Sequence, residues 1–228
     1  MAVRFKEIPG KKIVISLKCD KIYEFKNGYA VFYKDSKYGM VNTEGKIVIP
    51  AKYDDLDDEF CDNLLPAAKN KKYGYINSAN KTVISFKYDK AYSFSDGIAI
   101  VELKKKQGAI NKKGKTVVPL KYDSVFWDSE RQCFIVMLKE KIGVLDAAGK
   151  QLIAPTYESF LGSYKGDYFI VRKGKHWGVV SKTGKVVAPF KYDDIEIYSG
   201  GDLLSNGLAI VTKAGKKGII SVSSGKET

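Results

Sequence analysis

Lysine is the residue with which this sequence could do the most chemistry. It dominates a formal net charge of +13 and a pI near 9.4 in a chain of 228 residues. Lys69, Lys71, Lys72, Lys104, Lys105, Lys106, Lys173, Lys175, Lys213, Lys216 and Lys217 gather in short polar stretches between apolar runs. Lys18, Lys52, Lys87, Lys121 and Lys191 each stand two residues before an aspartate. Charge of this sign attracts nucleic acid, phospholipid or acidic protein surfaces, although solubility alone is a sufficient use for it. Arginine occurs only as Arg4, Arg131 and Arg172. Attraction would therefore be diffuse, because bidentate reading of phosphates and guanines favours the guanidinium fork.

Other reactive groups are sparse. His176 is the single histidine and precedes Trp177 in a polar turn, with no serine or cysteine nucleophile placed to use it. Cys19, Cys61 and Cys133 are odd in number and lack metal-ligand spacing, so neither a disulfide framework nor a zinc site is expected. The glycines are spread along the chain rather than grouped before a helix as a phosphate loop requires. No catalytic residue, metal or cofactor is implied, and the sequence reads as non-enzymatic. Aromatic residues recur at fixed places, which favours packing between neighbouring sheets over stacking on bases. Trp127 stands outside the recurring pattern and is the candidate exposed aromatic contact.

The elements that position these residues recur. Gly39, Gly74, Gly108, Gly143, Gly178 and Gly218 are spaced by 35, 34, 35, 35 and 40 residues, a period that signals a repeat architecture. A clear copy runs from Lys175 through Trp177-Gly178, Gly184-Lys185 and Pro189 to Tyr192-Asp193. An apolar run such as Ile98–Val101, a lysine-rich turn and the glycine strand read as a hairpin. Asn42–Gly45, Asn111–Gly114, Asp146–Gly149 and Ser181–Gly184 then read as turns whose first side chain bonds its own backbone and whose glycine takes positive φ. A third strand follows, which Pro50, Pro119, Pro155 and Pro189 are expected to end. After each Tyr-Asp, alternation such as Asp194-Ile195-Glu196-Ile197 predicts a short fourth strand. Residues 61–66, the acidic run Asp54–Glu59 and Ser199–Asp202 read as surface insertions. The turns after the first and third strands project from one face, so the lysines form a basic collar there, partly offset by the Tyr-Asp carboxylates.

The expected fold is all-β: a single domain over 1–228, with six short antiparallel units in a closed, propeller-like ring. Residues 1–38 would complete the truncated copy at 208–228, and strands near 11–15 and 217–222 would seal the ring. An open β-spiral or solenoid is the alternative. No run approaches the ~20 apolar residues of a membrane helix, and no apolar leader is present, so an intracellular, cytoplasmic protein is expected.

The recurrent Lys-Trp/Tyr-Gly, the Gly-Lys-x-Val-x-Pro strand and the following Tyr-Asp resemble the WG (KWG) repeat family of bacterial proteins. The motif is carried best by Tyr38-Gly39, Tyr73-Gly74 and Trp177-Gly178, while Gln107, Ile142 and Lys217 replace the aromatic in other copies. The resemblance implies a β repeat protein that mediates interactions and brings no catalytic residue. The leading expectation is a scaffold binding a protein partner through its loops. The alternative is sequence-nonspecific binding of nucleic acid or another polyanion on the lysine face.

Overall fold

The computed structural model describes residues 18–164, 167–196 and 207–227. Among them every element is a β-strand, and six antiparallel sheets follow one another along the chain. The first comprises β1 (Lys21–Ile22), β2 (Tyr29–Lys34), β3 (Lys37–Asn42) and β4 (Ile47–Tyr53). The second holds β5 (Asp55–Leu56), β6 (Leu65–Lys69), β7 (Lys72–Ile76) and β8 (Thr82–Tyr88). The third holds β9 (Lys90–Ala91), β10 (Ile98–Leu103), β11 (Lys106–Asn111) and β12 (Thr116–Tyr122). The fourth holds β13 (Ser124–Asp128), β14 (Cys133–Leu138), β15 (Lys141–Asp146) and β16 (Gln151–Tyr157). The fifth holds β17 (Ser159–Tyr164), β18 (Tyr168–Lys173), β19 (His176–Ser181) and β20 (Val186–Tyr192). Among the described residues the sixth has three strands: β21 (Asp194–Glu196), β22 (Leu208–Lys213) and β23 (Lys216–Ser221).

Two compact units divide the chain, Met1–Leu120 and Lys121–Thr228. In the first unit, Val31, Met40, Ile49 and Tyr53 of the first sheet bury against Leu56, Leu65 and Ile76 of the second. Tyr75, Ile84 and Tyr88 on the other side of the second sheet bury against Phe94, Val101 and Ile110 of the third. The second unit repeats the arrangement, with Val144 and Ile153 against Phe169 and Val180, and Ile170 and Tyr192 against Ile195 and Ile220. The second and fifth sheets are thus apolar on both faces, and alternation along their strands distributes the side chains to two neighbours.

The segment after each Tyr-Asp is not a fourth strand of its own repeat, as the sequence suggested. It is the first strand of the next sheet: β5 pairs with β6, and β21 with β22. Four strands fit a 35-residue period because this first strand is as short as two residues in β1, β5 and β9. Residues 61–66 are likewise no surface insertion. Asp62 and Asn63 take positive φ in a tight turn closed by a Cys61–Leu64 bridge, and Leu64, Leu65 and Pro66 enter the core. The expected insertion at 199–202 and the sealing strand near 11–15 lie outside the described residues.

Two features shape every complete sheet. The first is the anchor glycine. Between Tyr38↔Tyr53 and Met40↔Ile49 the fourth strand advances twice as far as the third, so it bulges over Gly39. The same shift recurs at Gly74, Gly143 and Gly178. A Cβ on Gly74 would stand 2.5 Å from the Ile84 carbonyl oxygen, and one on Gly178 2.8 Å from that of Ala188. Pro50, Pro155 and Pro189 sit within these bulged strands instead of ending them. A bulge leaves residues out of the ladder, so a missing N–H is tolerated there.

The second is the turns. Gly45, Gly114, Gly149 and Gly184 have φ of 81°, 74°, 80° and 82°, and Asn80 takes 58° in the copy without glycine. The Asn42 Oδ1 atom accepts from the backbone N–H groups of Glu44 (3.2 Å) and Lys46 (2.9 Å), as the sequence pattern requires. The hairpin turns between second and third strands are two residues long, with positive φ at both except in Gly174-Lys175, where only the glycine has it; Asn70-Lys71 and Lys104-Lys105 are examples of the common form. This type I′ geometry matches strand twist but strains residues other than Gly and Asn.

Gly74→Ala is expected to lower unfolding free energy by about 3 kcal/mol or more, because backbone must move to admit the methyl group. Gly97→Ala, at φ 78° with nothing within 4 Å, should lose only about 1 kcal/mol. Conversely Lys105→Gly (φ 61°) should stabilise by roughly 0.5–1 kcal/mol in denaturant titrations.

Candidate functional site

Consecutive sheets are joined by a single residue between strands: Asp54, Asp89, Asp123, Glu158 or Asp193. Each of these carboxylates accepts from a backbone N–H in the lysine-bearing hairpin turn of the sheet that follows. Asp54 takes Lys71 N–H at 2.8 Å, Asp89 takes Lys104 at 2.6 Å and Asp123 takes Lys139 at 2.6 Å. Glu158 takes Gly174 at 3.0 Å and Asp193 takes Ala214 at 2.7 Å. The same carboxylates face back to the residue before the anchor aromatic. Asp54 pairs with Lys37, Asp89 with Lys72 (2.5 Å) and Glu158 with Lys141 (2.6 Å); His176 stands 3.6 Å from Asp193. These hydrogen bonds to lysine hold the carboxyls of Asp54, Asp89 and Glu158 below their usual range, with the backbone N–H groups adding to the effect.

Within each unit the lysine turns and the Tyr-Asp turns therefore share an edge, as expected. Lys69, Lys71, Lys72, Lys104, Lys105, Lys173, Lys175, Lys213, Lys216 and Lys217 are exposed, and Lys106 is half-buried. Lys72 is committed to Asp89, and Lys217 pairs with Glu196 at 2.5 Å. The ammonium groups of Lys52, Lys87, Lys121 and Lys191 lie 5.2–5.3 Å from the ring centroids of the tyrosines that follow them. The edge thus carries junction carboxylates among its lysines, and Lys72 and Lys217 are held in ion pairs. Trp127 is half-buried against Phe134, with ring centroids 4.7 Å apart, while its neighbour Phe126 is 63% exposed. Strand alternation sends these adjacent side chains to opposite faces, so the exposed aromatic is Phe126 rather than Trp127.

The first unit contains a cavity of about 480 Å³ that sequence reading did not isolate. Its walls come from three successive sheets. Tyr23 and Tyr38 belong to the first, Asp55, Asp57, Asp58 and Tyr73 to the second, and Lys90 and Tyr92 to the third, with Leu56, Pro66 and Ala91 between them. The Tyr73 hydroxyl donates to Asp55 Oδ2 at 2.6 Å, and Leu56 N–H donates to Oδ1 at 3.0 Å. Ser93 donates its hydroxyl to Asp57 Oδ2, and Asp58 N–H donates to Oδ1 at 2.8 Å. Asp58 pairs with Lys26 at 2.6 Å, and Lys90 with Glu102 at 3.5 Å. The buried Tyr75 hydroxyl donates to the Tyr92 carbonyl at 2.7 Å and fixes the third wall. Burial, reinforced by Asp55, pushes the Tyr73 phenol up to about 12, and the hydrogen bond with Tyr23 raises Tyr38.

The anchor aromatics Tyr38 and Tyr73 thus have two surfaces: they pack against the intersheet cores and also face the cavity. The acidic run read as a surface insertion supplies β5 and the cavity's charge. Superposing the copies on Tyr-Asp carries the signal, since Asp55 and Asp57 occupy the places of Lys90 and Tyr92. Among the described residues no group of three or more His, Cys, Asp or Glu side chains could hold a metal ion. Nor is any helix there long and apolar enough to cross a membrane.

The WG-containing repeat model matches residues 10–38, 38–73, 73–106, 108–141, 142–175 and 177–216. The chain belongs to the WG-repeat family. No curated protein matches the sequence. Among solved structures it is similar to Kluyveromyces lactis Hsv2 with complete loop 6CD (11% identity, 88% of this chain and 73% of that one, TM-score 0.40). It is also similar to the β-propeller domain of Cps50 (Swd1) from Myceliophteria thermophila (8% identity, 92% and 84%, TM-score 0.36).

The lowered pKa values of the junction carboxylates predict that this WG-repeat protein loses stability in acid. A carboxylate whose folded pKa is depressed contributes stability above its unfolded value, here the ordinary 3.8 of an aspartate, and loses it as pH falls through the folded value. Stability should therefore decline below about pH 4, and Asp89→Asn should flatten that decline in pH-dependent denaturant titrations.

Proposed function

We propose that the chain is a non-catalytic interaction scaffold that holds a protein partner on the outward positions of the first strands of its sheets. One observation supports this reading above others. The frame repeats almost without change, while the two positions that flank the middle residue of each first strand vary among the copies, from Lys and Tyr in the first and third to paired acids in the second and sixth and Ser with an apolar residue in the fourth and fifth. They are Lys21 and Tyr23, Asp55 and Asp57, and Lys90 and Tyr92 in the first unit. In the second they are Ser124 and Phe126, Ser159 and Leu161, and Asp194 and Glu196. The residue between them is buried at Leu56, Val125 and Ile195 and half-buried at Ile22, Ala91 and Phe160. Tyr23, Tyr92, Phe126 and Leu161 are exposed large apolar or aromatic groups on these strands. Exposed aromatics on a rigid frame are the side chains that anchor protein interfaces. Chemistry that varies on a constant scaffold is how one fold carries different binding functions.

The test compares capture of cellular partners by three immobilised proteins. The first is the wild type; the second carries Tyr23→Ser, Asp57→Ser and Tyr92→Ser. The third carries Lys104→Gln, Lys105→Gln and Lys106→Gln. The same partner protein should be retained by the wild type and the lysine variant and lost by the first-strand variant. Retention of nucleic acid that disappears between 50 and 200 mM salt, as about 10³-fold weakening would produce, and that the lysine variant abolishes, would replace this reading with polyanion binding.

A further inference from the structure

We propose that the cavity of the first unit is a recognition site for an alkylammonium group, deepening the scaffold reading on which it rests. Two properties of the walls lead there. Tyr23, Tyr38, Tyr73 and Tyr92 bring four aromatic rings to one concavity, and the faces of such rings carry negative potential that attracts organic cations. Asp55 and Asp57 then add formal negative charge. All their hydrogen bonds come from neutral donors: the Tyr73 and Ser93 hydroxyls and the N–H groups of Leu56 and Asp58. Among the described residues neither carboxylate forms an ion pair, although the Lys26 ammonium paired with Asp58 also feels the charge of Asp57. The other charges on the walls are matched, Asp58 by Lys26 and Lys90 by Glu102. The site thus has an excess of negative charge in a protein of net charge +13.

The surroundings fix this arrangement before any ligand arrives. Tyr73 is tied to Asp55, and the Tyr92 backbone is held by the buried Tyr75 hydroxyl. Tyr23 and Tyr38 stand with ring centroids 6.5 Å apart. Tyr23 already accepts a cation, since the Lys21 ammonium lies 4.2 Å from its ring centroid. At about 480 Å³ the cavity has ample room for a trimethylammonium group and the chain that carries it. Apolar contacts from Leu56, Pro66 and Ala91 suit the methyl groups of such a ligand and not a fully hydrated metal cation. The group could arrive on a methylated lysine of a protein partner or on a free small quaternary amine.

The experiment titrates the full chain, followed by amide NMR shifts and calorimetry. The probes are choline, its neutral isostere 3,3-dimethylbutan-1-ol, and a short peptide in trimethylated and unmodified lysine forms. Choline or the trimethylated peptide should bind saturably, with shifts concentrated at residues 55–58 and 90–92. The neutral isostere should bind at least about tenfold more weakly, and Asp57→Asn and Tyr92→Ser should each weaken binding about three- to thirtyfold. Tyr92 is 47% exposed, so its replacement leaves the core untouched if Asp57→Asn disturbs the fold. A trimethylated peptide that outbinds choline assigns the cation to a partner protein; the reverse order assigns it to a small molecule. Equal binding of the neutral isostere, or no cavity shifts with any cation, overturns the proposal. If partner capture still depends on the first strands in that event, the scaffold reading survives and only the ammonium assignment falls.

Discussion

Everything in this chain hangs on a carboxylate that serves two sheets at once. One residue separates the last strand of a sheet from the first strand of the next, and that residue is an acid. Its side chain accepts from the following sheet's hairpin turn and faces a lysine or histidine of the preceding sheet. Such a link is short, charge-assisted and made at the point where the chain changes direction. Exposed ion pairs alone contribute little. Here the value lies in geometry, because the carboxylate fixes the chain where only one residue could otherwise turn it. The large apolar clusters between sheets then form against surfaces whose relative placement is already set.

The anchor glycine complements this link from within the sheet. The fourth strand must bulge over the third to bring Tyr53, Tyr88, Tyr157 or Tyr192 opposite the anchor position, and that path passes within contact distance of the glycine Cα. Only a residue without Cβ admits it. The glycine therefore stays in Gln107-Gly108 and Ile142-Gly143, where the aromatic before it has been replaced, whereas a Cβ on Gly218 would meet only the Val211 side chain at 3.8 Å. Backbone crowding constrains the glycine, whereas the aromatic answers to packing and, in the first unit, to the cavity.

The repeat period, the hairpins and the Asx turns with their positive-φ glycines were legible in the sequence because each rests on local backbone chemistry. Membership of the WG-repeat family was legible for the same reason. Three features were not. The strand after Tyr-Asp was assigned to the wrong sheet, since alternation in Asp194-Ile195-Glu196 reveals a strand but not its partner. The prolines were read as strand ends, because a bulge that tolerates them depends on pairing between two strands. The cavity escaped notice because Tyr23, Asp57 and Tyr92 lie far apart in sequence and meet only when three sheets stack. Trp127 drew attention by falling outside the consensus, yet the outward position belongs to Phe126.

That three repeats each contribute a wall has an evolutionary meaning. Each wall is encoded by its own short stretch of sequence, on a first strand whose neighbours are held by the common frame. Duplication, loss or exchange of one repeat would replace one wall and leave the other two intact. Selectivity in such a protein can change by recombination of whole segments as readily as by point substitution. The vocabulary of a binding surface is then the set of first strands available to the lineage.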